Sequence, residues 1–189
     1  MPKIIENLQE RLLSAARLQL EAEGYSALTM RGIAKASGVG VGTVYNYYPS
    51  KDALIASFVA ADWRAVMEQI AKASEGCSAE RILHAEYDGV RRFSEQHRAL
   101  FSDPGAIRTY AALPRDWHER LRAQLAAPLA AALRREGHPN AAFLSLFLVE
   151  SLLTWSAGDA DRDALFAVFE PILKNSVSEH NHSESNKGV

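Results

Sequence analysis

The sequence predicts an all-α fold, and three observations carry that prediction. No alternating apolar and polar run survives beyond a few positions, so strands lack their period-two signature. The long segments are dominated by Ala, Leu, Glu, Gln and Arg, which are strong helix formers. Capping and breaking residues recur at the points where one helix would end and the next begin. The order of elements suggests a small three-helix N-terminal domain over residues 1–50, a larger helical domain over 51–174 and a tail over 175–189.

The elements follow in order. Ile5, Leu8, Leu12, Ala15 and Ala16 recur at a helical period, and Gly24 is placed for a left-handed C-cap of this first helix. Thr29 is a natural N-cap for a short second helix that carries Ile33 and Ala34 inward and closes at Gly38. A third short helix runs from Thr43 to Tyr48, where Pro49 stops it. Ser50 caps a long fourth helix with Leu54, Phe58, Trp63, Met67 and Ile70 on it, ending at the polar break Ser74-Glu75-Gly76. A fifth, amphipathic stretch opens at Ser78 and ends near His97. Between Phe101 and Pro114 the run Asp103-Pro104-Gly105 predicts irregular chain with at most a short helix at 107–111. Helices at 117–135, 140–156 and 161–174 follow, the first and last of them expected to bend at Pro128 and Pro171. The tail from Asn175 is polar and is expected to be disordered.

Composition narrows the classes of function. Hydrophobic residues make up 48% and charged residues 23%, a globular balance. The net charge of -2 excludes a polycation, so a surface for nucleic acid has to come from local placement of charge. The single cysteine, Cys77, forms no internal disulfide, and the acids near the N-terminus break the apolar core that a signal peptide needs. Both point to the cytoplasm. The most apolar run, residues 141–155, is shorter than the roughly 20 residues of a membrane span and contains Glu150, so no membrane partner is expected. No metal-ligand spacing, nucleophile elbow or cofactor loop is present, and the chain is expected to be neither an enzyme nor a cofactor protein. The glycines at 38, 40 and 42 follow a helix and not a strand, which argues against a phosphate-binding loop.

A helix, a turn containing glycine and a second short helix form the helix-turn-helix plan, in which the second helix enters the DNA major groove. Residues 29–54, TMRGIAKASGVGVGTVYNYYPSKDAL, resemble the signature of the TetR family of transcriptional regulators. The match comprises Thr-x-Arg, Ile-Ala, a small residue before Gly-Val, then Gly-Thr-x-Tyr-x-Tyr and Ser-Lys-Asp-x-Leu. Two positions depart from it: Gly40 stands where the family commonly has Ser, and Tyr48 where it commonly has Phe. The resemblance implies DNA contacts by Thr29, Arg31, Val41, Gly42, Thr43, Tyr45, Asn46, Tyr47 and Lys51. Their chemistry suits the role: tyrosine hydroxyls reach phosphate, Asn pairs with adenine, and Arg and Lys neutralise the backbone.

The resemblance also implies a homodimer built from the last two helices, binding double-stranded operator DNA with two-fold symmetry. Residues 140–156 are apolar on nearly every face, and Phe143, Phe147, Trp155, Phe166 and Phe169 are the interface candidates. For a small-molecule effector, lipophilic or aromatic, the candidates are Trp63, Met67, Tyr87, Phe93, Tyr110 and Trp117, with His84, His97 or Arg91 as polar anchors. The sequence supports two modes of regulation: a repressor released from its operator by that effector, or a DNA-binding protein of the same fold controlled by a protein partner.

Overall fold

The structure is a computed structural model that describes residues 7–111, 115–156 and 161–178, without the side chains of 110, 111, 115–117 and 175–178. The described residues form ten helices and no strand: α1 (Leu8–Glu23), α2 (Met30–Ala36), α3 (Val41–Tyr47), α4 (Lys51–Ser74), α5 (Ala79–Gln96), α6 (Arg98–Phe101), α7 (Pro104–Ala111), α8 (Arg115–Arg135), α9 (Ala141–Ser156) and α10 (Arg162–Ser178). They fall into two compact units, one of residues 1–64 and 97–113 and the other of 65–96 and 114–189. The first unit therefore takes in more chain than the 1–50 expected for the N-terminal domain: the start of α4, and α6 with α7.

In the first unit α1 turns Leu8, Leu12, Ala15, Ala16 and Leu20 inward, against the buried Ile33 and Ala34 of α2. Val44 of α3 and Leu54, Ile55 and Phe58 of α4 complete this core. A polar cluster stands beside it. The Arg17 guanidinium bonds both carboxylate oxygens of Asp62 and lies 4.6 Å from the centre of the Phe58 ring. The His97 Nε2 is 3.0 Å from the same carboxylate. Burial holds the His97 imidazole below its ordinary value, although Asp62 pulls it the other way.

The region 101–114 is more ordered than its composition predicts. The Asp103 carboxylate accepts the backbone N–H groups of Gly105 at 2.7 Å and Ala106 at 3.2 Å, and Pro104 takes the first helical position. Asp-Pro-Gly here opens α7 because proline's missing N–H costs nothing in a first turn. Those backbone donors hold the Asp103 carboxyl below the usual range despite the opposing effect of desolvation. Gly24 ends α1 with φ 81° and ψ 170°, a positive φ but outside the left-handed helical region expected for it.

In the second unit α8 packs against α9, and α5 packs on both of them and on α10. The core is apolar: Ile82 and Leu83 from α5, Leu125, Leu129 and Leu133 from α8, Leu148, Val149 and Leu152 from α9, Phe166 and Phe169 from α10. The Glu136 carboxylate accepts the Ala79 N–H at 2.7 Å, tying the start of α5 to the end of α8. Helices α8 and α10 continue through Pro128 and Pro171. Helix α10 continues to Ser178, so residues 175–178 are helical and not part of a disordered tail. Residues 179–189 lie outside the described residues. Among the described residues no helix is long and apolar enough to cross a membrane.

Candidate nucleic-acid interface

Helices α2 and α3 with the turn between them form the helix-turn-helix. Thr29 caps α2 as expected: its hydroxyl accepts the Gly32 N–H at 3.0 Å. At the other end Gly38 has φ 65°, its N–H bonds the Lys35 carbonyl, and the Val39 N–H reaches back to Ala34. That pair of bonds is a Schellman motif, which reverses the chain at a residue without Cβ. Helix α3 then begins at Val41, two residues before the expected Thr43, with Gly40 at its N-cap and no side-chain cap bond.

Two faces divide α3. Val44 and Tyr48, one turn apart, are buried, and α3 packs on α2. The Tyr48 ring occupies a core slot where its hydroxyl finds no hydrogen-bond partner among the described residues, and phenylalanine in the family pattern would carry no such hydroxyl. Val41, Gly42, Tyr45, Asn46 and Tyr47 are exposed, with Tyr45 at 52% and Tyr47 at 47%, and Thr43 is half-exposed. Exposed tyrosines on a seven-residue helix bury little for the fold, so their rings and hydroxyls are available to a ligand. Arg31 and Lys35 of α2 are exposed as well and add positive charge to the unit.

Lys51 is placed differently from a free phosphate contact. Its ammonium donates to the Tyr25 carbonyl at 3.0 Å and lies 4.0 Å from the centre of the Tyr25 ring. The Tyr25 hydroxyl in turn donates to Asp52 at 2.7 Å and is 3.1 Å from the Thr109 hydroxyl. Desolvation and the Asp52 carboxylate raise the Tyr25 hydroxyl above its ordinary value, against the Thr109 bond. Tyr25 thus links the chain between α1 and α2 to the start of α4 and to α7. Sequence reasoning missed it, because a tyrosine directly after a helix-ending glycine carries no positional signal.

The effector candidates are drawn from both units. Trp63 and His97 belong to the first unit and are buried there. Met67, His84, Tyr87, Arg91 and Phe93 belong to the second. His84 stacks on Phe166 with ring centres 3.8 Å apart, and its Nδ1 is 3.0 Å from Arg162. Arg91 donates to the Tyr87 hydroxyl at 3.1 Å and to Glu95 at 3.0 Å, contacts that raise its guanidinium's already high value. The side chains of Tyr110 and Trp117 lie outside the described residues. One buried ionisable group was not anticipated at all: Glu86 of α5, with no accessible surface.

The interface candidates also divide. Phe143, Phe147 and Trp155 are exposed at 73%, 48% and 54%, beside Leu146. Phe166 and Phe169 are instead packed inside their own chain, edge to face with each other, and are not available to a partner.

A helix-turn-helix with an exposed aromatic recognition helix, joined in one chain to a helical second unit, defines a DNA-binding class of all-α proteins. Residues 12–58, which carry the helix-turn-helix, match the family model of the bacterial regulatory proteins, tetR family. It is 36% identical over 58 residues to the HTH-type transcriptional repressor KstR of Rhodococcus jostii, covering 31% of this chain and 27% of that protein. It is 27% identical over 97 residues to an uncharacterized HTH-type transcriptional regulator of Haemophilus influenzae, covering 51% of this chain and 45% of the other. The matched stretches therefore span less than half of either relative. The fold likeness is wider: the structure of GusR from Salmonella enterica superposes with a TM-score of 0.64 at 21% identity, over 94% of this chain and 97% of that one.

Proposed function

We propose that the chain is a dimeric transcriptional repressor that holds a palindromic operator through α3 and releases it when a small lipophilic or aromatic molecule binds the second unit. The observation that carries the reading is the two-sided α3. Its buried side fixes the helix to the scaffold, and its outward side offers two tyrosines, an asparagine and a threonine. Phosphate and sugar contacts from the tyrosines would set register, and Asn46 would read a base edge. The exposed Phe143, Phe147 and Trp155 support self-association, since an apolar patch on a helix is stabilised by a second copy. A ligand that binds one conformation of the dimer better than the other would change the separation of the two reading helices and so the fit to the half-sites.

The test is a fluorescence-anisotropy titration of the full chain on duplex DNA from upstream of its own gene, at two salt concentrations. Binding at least about 1,000-fold tighter than to an unrelated duplex is expected, with Tyr45→Ala and Tyr47→Ala weakening it. Equal affinity for both duplexes overturns the reading.

A further inference from the structure

Helix α5 buries Ala79, Ile82, Leu83, Glu86, Tyr87, Gly89, Val90 and Phe93. Glu86 sits in the middle of this set, one turn from Ile82 and one from Val90, on a helix covered by α8, α9 and α10. It has no accessible surface, and neither carboxylate oxygen has a hydrogen-bond partner among the described residues. An acid in this position contributes nothing to the fold, whereas leucine there would complete the apolar face. The hydroxyls of Ser74 and Ser156 in the same unit are also buried without a partner among the described residues.

Neither Arg162 nor Arg91 bonds Glu86. Arg162 meets His84 and Asp88, and Arg91 meets Tyr87 and Glu95. Burial pushes the Glu86 carboxyl well above the usual carboxylate range. A hydrogen bond to a neutral ligand needs only a serine or a glutamine. What a buried carboxyl adds is the capacity to become an anion when a cation arrives.

We propose that the interior of the second unit binds an apolar amine whose ammonium group pairs with Glu86. This deepens the effector half of the repressor reading and rests on it. The hydrocarbon body packs against the apolar residues of α5, α8 and α9. The ammonium enters charged, Glu86 gives up its proton to the solvent, and a carboxylate–ammonium pair remains with no covalent bond made or broken. An anion finds no opposite charge there, because a carboxyl can only be neutral or negative.

The experiment uses three probes that share one chain and differ in head group: n-octylamine, 1-octanol and octanoate. Isothermal titration calorimetry of the full chain, repeated in two buffers of different ionisation enthalpy, measures affinity and proton release together. Octylamine is expected to bind at least about tenfold tighter than octanol, with octanoate weakest. Its binding should release about one proton per chain, and octanol none. In Glu86→Gln the octylamine affinity should fall to that of octanol, with proton release lost and octanol binding unchanged. The proton count on the unaltered chain keeps the test decisive should that variant fail to fold. Absence of octylamine binding, octanol or octanoate binding as tightly, no proton release, or full octylamine affinity in a folded Glu86→Gln each overturns the proposal. The operator titration separates the two readings. Specific DNA binding with no amine binding removes this inference alone, and amine binding with no DNA specificity removes the repressor reading alone.

Discussion

Helices α3 and α9 both present aromatic side chains to solvent, and they do so with opposite chemistry. On α3 the exposed rings are tyrosines, accompanied by Asn46 and Thr43, so each apolar surface ends in a group that bonds to water or phosphate. On α9 they are Phe143, Phe147 and Trp155 next to Leu146, with hardly a polar atom among them. The first surface is stable in water and gains from an anionic, hydrogen-bonding partner. The second is stabilised only when another apolar surface covers it. Exposure alone does not distinguish a DNA-reading face from a protein-binding one; the polar ends of the side chains do.

The comparison breaks first at α9. Replacing Phe147 and Trp155 together by serine should weaken self-association by at least roughly 100-fold, because central aromatic residues carry most of an interface's energy. Sedimentation equilibrium at micromolar concentration should show a dimer turning into a monomer, and an unchanged mass would remove α9 from the interface. At α3 the effect is smaller. Tyr45→Ala should cost about 1–3 kcal/mol of operator affinity, while the melting temperature stays close to that of the parent because the residue is half-exposed. A matching loss of stability would mean that Tyr45 serves the scaffold and not the DNA.

The two surfaces were unequally legible in the sequence. Residues 29–54 carry their role in residue type and order, since a cap, a turn glycine and tyrosines on a short helix each have a local cause. The α9 face was visible only as an excess of apolar residues, which left open which of them a single chain buries. Phe166 and Phe169 read like Phe143 and Phe147, yet they fill the core around His84 and Tyr87. Helix α7 was hidden because Asp103-Pro104-Gly105 has the composition of a turn and the geometry of an N-terminus. Glu86 was hidden by company: α5 also carries Glu80, Asp88, Arg91, Arg92 and Glu95, mostly solvated, and only the helical phase that Glu86 shares with Ile82 and Val90 sets it apart.

Glu86 also provides a control that should disturb neither exposed helix. A carboxyl whose folded-state value is raised costs nothing below the ordinary carboxylate range, where folded and unfolded chains both keep the proton. The cost grows as pH rises from there toward the folded-state value. Glu86→Leu should therefore be more stable than the parent at neutral pH, by roughly 1–3 kcal/mol, with the gain shrinking as pH falls toward about 4. Urea melts at the two pH values measure it, and a gain that persisted unchanged in acid would show that the ionisation of Glu86 is not the source. Operator affinity and dimer mass should be unaltered.

The smallest expected effect separates scaffold from contact within the helix-turn-helix itself. Thr29 has two candidate roles, a phosphate ligand and the observed cap of α2, where its hydroxyl is already accepting the Gly32 N–H. Thr29→Ala should cost about 1 kcal/mol of stability by leaving that first-turn donor unpaired, and Thr29→Ser should restore most of it. If Thr29 only caps, operator affinity at a temperature well below melting should change little in either variant. A loss in Thr29→Ala that Thr29→Ser recovers, without a matching change in the melting curve, would instead assign the hydroxyl to phosphate. In that case the DNA-facing surface of the first unit extends beyond α3 to the N-terminus of α2, and the contrast with α9 sharpens: a reading face assembled from caps and short polar groups against one made of unmodified aromatic bulk.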